Sequence, residues 1–244
     1  ENVLLTESDL DLSLPKNPVH DKSAKKEFRK LYDDFVADRK KFLERDEDWD
    51  VEEIVKHFRK MRDFSGKYHQ TASAVAAKLI MIRIIHTYDL TNKEHAIPLQ
   101  KKSEELAKSI ALTYPDTWYG TFAICVHARC IVRNGALPEN ERFRKAIALL
   151  EQNIAKFIHL DETKDDEFML LREECLSVDD EKVSGKMLFA IAGYWYSIQE
   201  WDQCRSVLDR IENNYKDCPN LLRKSQFLRE QSNELERMLK NEGE

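Results

Sequence analysis

The residue types that do chemistry most readily are sparse in this chain. Cys125, His127 and Cys130 form the tightest group of soft donors. On a helix, offsets of two and five residues send them to different faces, so they cannot alone close a tetrahedral metal site, and ordinary packing accounts for them. No H-E-x-x-H or paired C-x-x-C is present, and no G-x-S-x-G, G-x-G-x-x-G or G-x-x-x-x-G-K-[ST]. The acidic run Asp161 to Glu167 has no glycine, which a calcium loop of the EF-hand type needs for its sharp turn. It reads as a solvated loop, with a basic protein as a weaker candidate partner. The expectation is a protein with no catalytic residues, no cofactor and no metal, which acts by binding.

Charge narrows the partner. The 244 residues carry 39 Lys and Arg against 45 Asp and Glu, for a formal net charge of -6, which argues against a globally basic nucleic-acid binder. Cations gather locally at Lys25, Lys26, Arg29, Lys30, Arg39, Lys40, Lys41, Lys56, Arg59, Lys60 and Arg62. Residues 22–67 hold 14 basic and 12 acidic side chains, the balance of a salt-bridged helix surface. Lys56, Arg59, Lys60 and Lys67 follow one helix and its exit, and they are the candidate contacts to an acidic partner surface or anionic lipid. Tyr119 and Tyr196 are the aromatics best placed to show an edge to a concave groove.

No apolar run approaches the roughly 18 residues of a membrane span, and the longest, Leu79 to Ile85, is broken by Arg83. The 5 cysteines are odd in number, and no N-x-[ST] sequon occurs. Reduced thiols and a cytoplasmic address are expected. The chain starts at Glu1 with no signal-peptide pattern, and membrane contact would run through an anchor outside it.

The elements that carry these residues are helical. Only 6 Gly and 6 Pro punctuate the chain, too few for a turn-rich β architecture. Residues 1–23 form an irregular arm in which Leu10, Leu12 and Leu14 alternate; it either docks on the body, in a groove, or stays disordered. Phe28, Leu31, Phe35 and Phe42 predict a helix over 24–44. Asp50, with Glu53 three residues on, predicts a capped helix with Val51, Ile54, Val55, Phe58 and Met61 inward, ending at Ser65-Gly66. Residues 70–89 are apolar on nearly all sides, as befits a helix in the middle of a stack. Further helices are expected over 97–112, from Asp116 or Thr117 to Asn134-Gly135, and from Pro138 through Phe157. Residues 161–181 hold 10 acidic and 2 basic side chains, an insertion with a short helix at 168–175. The last three helices span 183–198, 200–214 and 219–240. The fold class is all-α, a single domain over 24–244.

Helices in series raise the possibility of repeats. Over 185–218 the tetratricopeptide pattern reads out as Leu188, Ile191-Ala192, Trp195, Trp201, Cys204, Leu208 and Ile211. The small residues Ala192 and Cys204 let two helices approach closely. A partial second unit carries Ala107, Ile110 and Tyr114-Pro115, then Trp118-Tyr119 and Phe122-Ala123, with Ala146-Ile147 and Leu150 on its partner helix. The prediction is a tetratricopeptide-like solenoid of antiparallel helix pairs.

The run Ser103 to Ile110, followed by Tyr114-Pro115-Asp116, Trp118-Tyr119 and Ala123-Ile124-Cys125, resembles the central repeat of the regulator of microtubule dynamics family. Phe143 to Leu149 resembles that family's next repeat helix, and Leu188 to Tyr215 its terminal repeat. The likeness spans roughly 50–240; the acidic insertion departs from it. It implies a non-enzymatic helical-repeat protein bound to microtubules and supporting the spindle, with some members on mitochondria or endoplasmic reticulum. A peptide adaptor and a lipid-binding membrane-contact module are the alternatives.

Overall fold

A computed structural model describes residues 4–45, 50–91, 93–165, 168–169, 171 and 182–241. These residues are all-helical, with 10 helices packing in adjacent pairs and no strands. They are α1 (Lys22–Arg45), α2 (Val51–Lys67), α3 (Ala72–Thr91), α4 (Lys93–Thr113), α5 (Trp118–Arg133), α6 (Glu139–Gln152), α7 (Ile154–Leu160), α8 (Val183–Ser197), α9 (Trp201–Asn214) and α10 (Pro219–Asn241), preceded by a 3-10 turn at Glu7–Asp9. None is long and apolar enough to cross a membrane. The chain divides into two compact units, Glu1–Cys130 and Ile131–Glu244.

In the N-terminal unit α3 is the central element, as its composition predicts. From Ala72 to His86 every residue is buried except Arg83, which is half-buried. Helices α2 and α4 pack along it, and α1 lies against both α2 and α3. The α1 stripe holds at Phe28 and Phe35, both fully buried, while Leu31 is only half-buried and Tyr32 beside it is buried; the side chain of Phe42 lies outside the described residues. Phe28 meets Phe64 of α2 at a ring distance of 5.8 Å. Asp50 caps α2 by accepting the Glu52 amide N–H at 3.0 Å, while the Glu53 carboxylate turns to Lys56 and leaves the reciprocal half of the expected box unmade. Helix α2 runs past Ser65-Gly66 to Lys67. Helix α4 starts at Lys93, before the expected Ile97, and so carries Pro98 inside it. Thr117 is the residue that caps α5, accepting the Gly120 N–H at 3.1 Å.

The C-terminal unit centres on α8, which packs against α6, α7, α9 and α10. Ala192, Cys204, Leu208 and Ile211 are fully buried where α8 meets α9, and Trp195 and Trp201 are half-buried. The helix expected from Pro138 through Phe157 is instead two, α6 and α7, broken at Asn153. The Asn153 side-chain amide donates to the Leu149 carbonyl at 2.8 Å, competing with the backbone for the helical acceptor. Asp161, expected in a solvated loop, is a cap: its carboxylate accepts the N–H groups of Val183 at 2.5 Å and Ser184 at 3.4 Å, the start of α8. Phe168 and Leu171 are fully buried. The rest of the expected 168–175 helix and of the acidic insertion lies outside the described residues, apart from 161–165 and Met169.

Gly120 sits close against neighbouring backbone. A Cβ there would lie 1.8 Å from the Tyr114 carbonyl oxygen, whereas one at Gly66 would meet nothing within 4 Å. Gly120→Ala is expected to destabilise the chain by about 2 kcal/mol or more, because backbone and not a side-chain tip must move. Gly66→Ala, on an exposed helix face, is expected to stabilise by about 0.5–1 kcal/mol. Urea denaturation of the two variants separates these effects.

Candidate partner-binding site

The four predicted cations share α2, and Lys56 and Lys67 are committed to carboxylates. Lys56 donates to both Glu53 oxygens at 3.0 Å. Lys67 reaches Glu27 of α1 at 2.7 Å and sits 4.7 Å from the Tyr68 ring centre. Hydrogen bonds to those carboxylates hold both ammonium pKa values above the usual lysine value. Arg59 is half-buried and Lys60 is exposed. Tyr119 shows no edge to a groove: it is buried at the start of α5, edge-on to Tyr114 at 5.1 Å and to Trp118 at 5.3 Å. Tyr196 belongs to the other unit, half-buried and edge-on to Trp201 at 5.6 Å. Cys125, His127 and Cys130 diverge as their spacing predicts. His127 lies 3.9 Å from Glu104 of α4, and the Cys130 thiol 3.4 Å from His86 of α3.

The arm supplies a better-defined site. It docks, but Leu12 and Leu14 are only half-buried. The buried side chains are Leu5, Leu10 and Pro15, five residues apart, because the chain winds through a 3-10 turn and does not run as a simple extended strand. Polar groups from three helices hold it. Lys102 of α4 donates to the Glu7 carbonyl at 2.5 Å, and Arg62 of α2 reaches Asp9 at 2.8 Å. Tyr114, at the end of α4, donates to the Pro15 carbonyl. Val19 then joins the α2–α3 turn, giving its N–H to the Gln70 carbonyl at 2.9 Å and accepting that of Ala72 at 3.0 Å.

Lys78 is the centre of this arrangement, on the helix that is apolar on nearly all sides. Its side chain is 7% exposed, and its ammonium donates to the Asp11 carbonyl at 2.9 Å, the Asp11 carboxylate at 3.0 Å and the Ser13 carbonyl at 2.7 Å. Three acceptors match the three donors of an ammonium, which is how a buried charge is tolerated. The residues that read main-chain oxygens on the arm, Lys78, Lys102 and Tyr114, were not among the sequence candidates. The visible signal was a lone Lys between Ala77 and Leu79. Burial pushes the Tyr114 hydroxyl up to about 12, so it stays a donor at neutral pH.

In the C-terminal unit a cleft beside α8 has Ile154, Ile158 and Leu188 on its walls and Asp161, Lys182 and Arg210 among its polar groups. Arg210 is held by Glu151 at 2.6 and 3.2 Å, and Lys182 by Asp217 at 2.7 Å.

No protein-family model, curated protein or solved structure matches this chain.

Asp11 makes arm docking sensitive to acid. Partial burial alone would raise its carboxyl pKa; hydrogen bonds from the Ser13 side chain and backbone and from Lys78 outweigh this and bring it from 3.8 to about 2. A depressed carboxyl pKa contributes stability that is complete above the unfolded value and is lost as pH falls through the folded one. Amide resonances of residues 5–15 are therefore expected to shift between pH 4 and about pH 2, and Asp11→Asn should abolish that step. The same step persisting in Asp11→Asn would assign the titration to another group.

Proposed function

We propose that this chain is a non-enzymatic helical-repeat protein that works by binding irregular, non-helical polypeptide segments of its partners. The observation carrying this reading is the arm itself. Across α2, α3 and α4 the N-terminal unit holds an irregular segment by its main-chain carbonyls, through Lys78, Lys102 and Tyr114, and by two aspartates, through Arg62 and Lys78. Main-chain contacts give affinity for a non-helical segment, while buried side chains set its register. A partner segment with apolar residues five apart and an aspartate after the second would exchange for the arm. The tetratricopeptide-like assignment is part of the proposal, supported by the close approach of α8 and α9 at Ala192 and Cys204, both fully buried.

A labelled peptide copy of residues 4–20 tests the exchange. The tethered arm competes at an effective concentration on the order of millimolar, so binding to the native chain should be weak. Leu10→Asp in the full chain displaces the arm and should tighten peptide binding about tenfold or more. If the Leu10→Asp chain keeps its helical circular dichroism yet shows no saturable binding, the surface across α2, α3 and α4 is only a packing surface for its own arm.

Association with microtubules is the second reading. It is favoured by Lys56, Lys60 and Lys67, all exposed and separated by four and seven residues, hence on one side of α2. The contact would be electrostatic and salt-sensitive, suiting the acidic tails of tubulin. Co-sedimentation with microtubules should fall as salt rises and be lost in a Lys56→Glu, Arg59→Glu, Lys60→Glu variant. No pelleting even at low salt removes this reading and leaves the peptide-binding one standing. A cytoplasmic, microtubule-associated location belongs to the same reading, with a mitochondrial or endoplasmic reticulum surface as the alternative.

A further inference from the structure

We propose that Asp38, Glu53 and His57 form a binding site for a divalent transition-metal ion, with Zn2+ as the best match. One donor atom from each residue lies within 4.8 Å of the other two. Glu53 and His57 are one turn apart on α2 and so share a face, and Asp38 comes from α1 beside it. The His57 Nε2 and Asp38 Oδ2 are 3.2 Å apart. In a tetrahedral site with metal–ligand bonds near 2.0–2.2 Å, two ligand atoms stand roughly 3.3–3.6 Å apart, so this pair already has nearly the required separation. Glu53, with a side chain 34% exposed, has the freedom to close the remaining gap by a rotamer change.

The neighbours fit the same role. His57 is 1% exposed, and without metal its Nε2–H donates to Asp38 Oδ2; a bound ion would replace that proton, leaving the ring's remaining proton on Nδ1. Lys41 donates to Asp38 Oδ1 at 2.8 Å, which leaves Oδ2, the oxygen facing His57, as the ligand. The Phe35 ring stands edge-on to the imidazole at 5.6 Å and 74°, restricting its orientation. Lys56 occupies both Glu53 oxygens and is the competitor that an ion must displace. Its side chain is 53% exposed and can swing into water without a buried charge being left behind. Lys60 adds a weaker repulsive field at His57. One imidazole nitrogen with two carboxylate oxygens selects Zn2+ or Co2+ over the oxygen-seeking Mg2+ and Ca2+, and water completes the coordination. Without metal, the same 3.2 Å contact is a hydrogen bond that ties α2 to α1.

The test is Co2+ titration of the full chain after chelator treatment, read by visible d–d absorption. The expected result is one Co2+ per chain, displaced by Zn2+, with Asp38→Asn and Glu53→Gln each weakening binding about tenfold or more. Both substitutions are isosteric and at partly exposed positions, so unchanged circular dichroism will certify the fold. Three results would overturn the proposal: no saturation below about 1 mM, intense sulfur-to-cobalt charge transfer that assigns the ion to cysteine, or unchanged affinity in both variants.

Discussion

An α-helix with no polar face persists in water only when every side of it is covered, and α3 imposes that requirement on the N-terminal unit. From Ala72 to His86 only Arg83 retains partial exposure. Covering one side is the work of α2, and another of α4, with α1 closing against α2 and α3. The hydrophobic term is proportional to area and has no direction, so it accepts any apolar cover. Lys78 removes that indifference. An ammonium inside an apolar helix must exchange water for fixed oxygens, and the arm supplies three from Asp11 and Ser13. Helix and arm therefore specify each other: the arm buries Leu5, Leu10 and Pro15, and the position of Lys78 decides where along the helix those oxygens must lie.

The C-terminal unit solves a similar problem with a different polar device. Its central helix begins with four N–H groups that no preceding turn can satisfy. Asp161 takes two of them, accepts the Ser184 hydroxyl as well, and Tyr215 donates to that hydroxyl at 2.8 Å. One carboxylate thus ties the end of α7, the start of α8 and the residue after α9. Burial raises the Tyr215 pKa, which keeps the phenol protonated as the donor this network needs. An acidic residue that looks like loop solubiliser in the sequence is a structural cap once the chain folds back on it.

The same redistribution applies to recognition. Lysines at exposed helical positions look available for an acidic partner, yet folding gives Lys56 to Glu53 and Lys67 to Glu27. Exposed pairs of this kind contribute little to stability and yield to a better-matched partner, so they tune a surface without closing it. The cations that make the more demanding contacts, Lys78 above all, are those with little or no water to return to.

Helical class, the span of most helices and the inward positions of α1, α2, α8 and α9 were legible in the sequence. They follow from a 3.6-residue period and from caps, both of which act within a few residues of one another. Errors at Asn153 and at the start of α4 also have local causes, a side chain competing for a backbone acceptor and a proline accommodated inside a helix. What no local pattern contains is pairing at a distance: Lys78 with Asp11, Tyr114 with Pro15, Asp161 with Ser184, and His57 with Asp38. Leucine alternation in the arm pointed to Leu10, Leu12 and Leu14, whereas the surface it meets selected Leu5, Leu10 and Pro15. By itself the sequence determined which faces are apolar, because that depends on residue type and helical period. Only the tertiary structure decided which polar groups meet, because a hydrogen bond or ion pair needs partners placed to within about 3 Å, and that placement is a property of the packed chain.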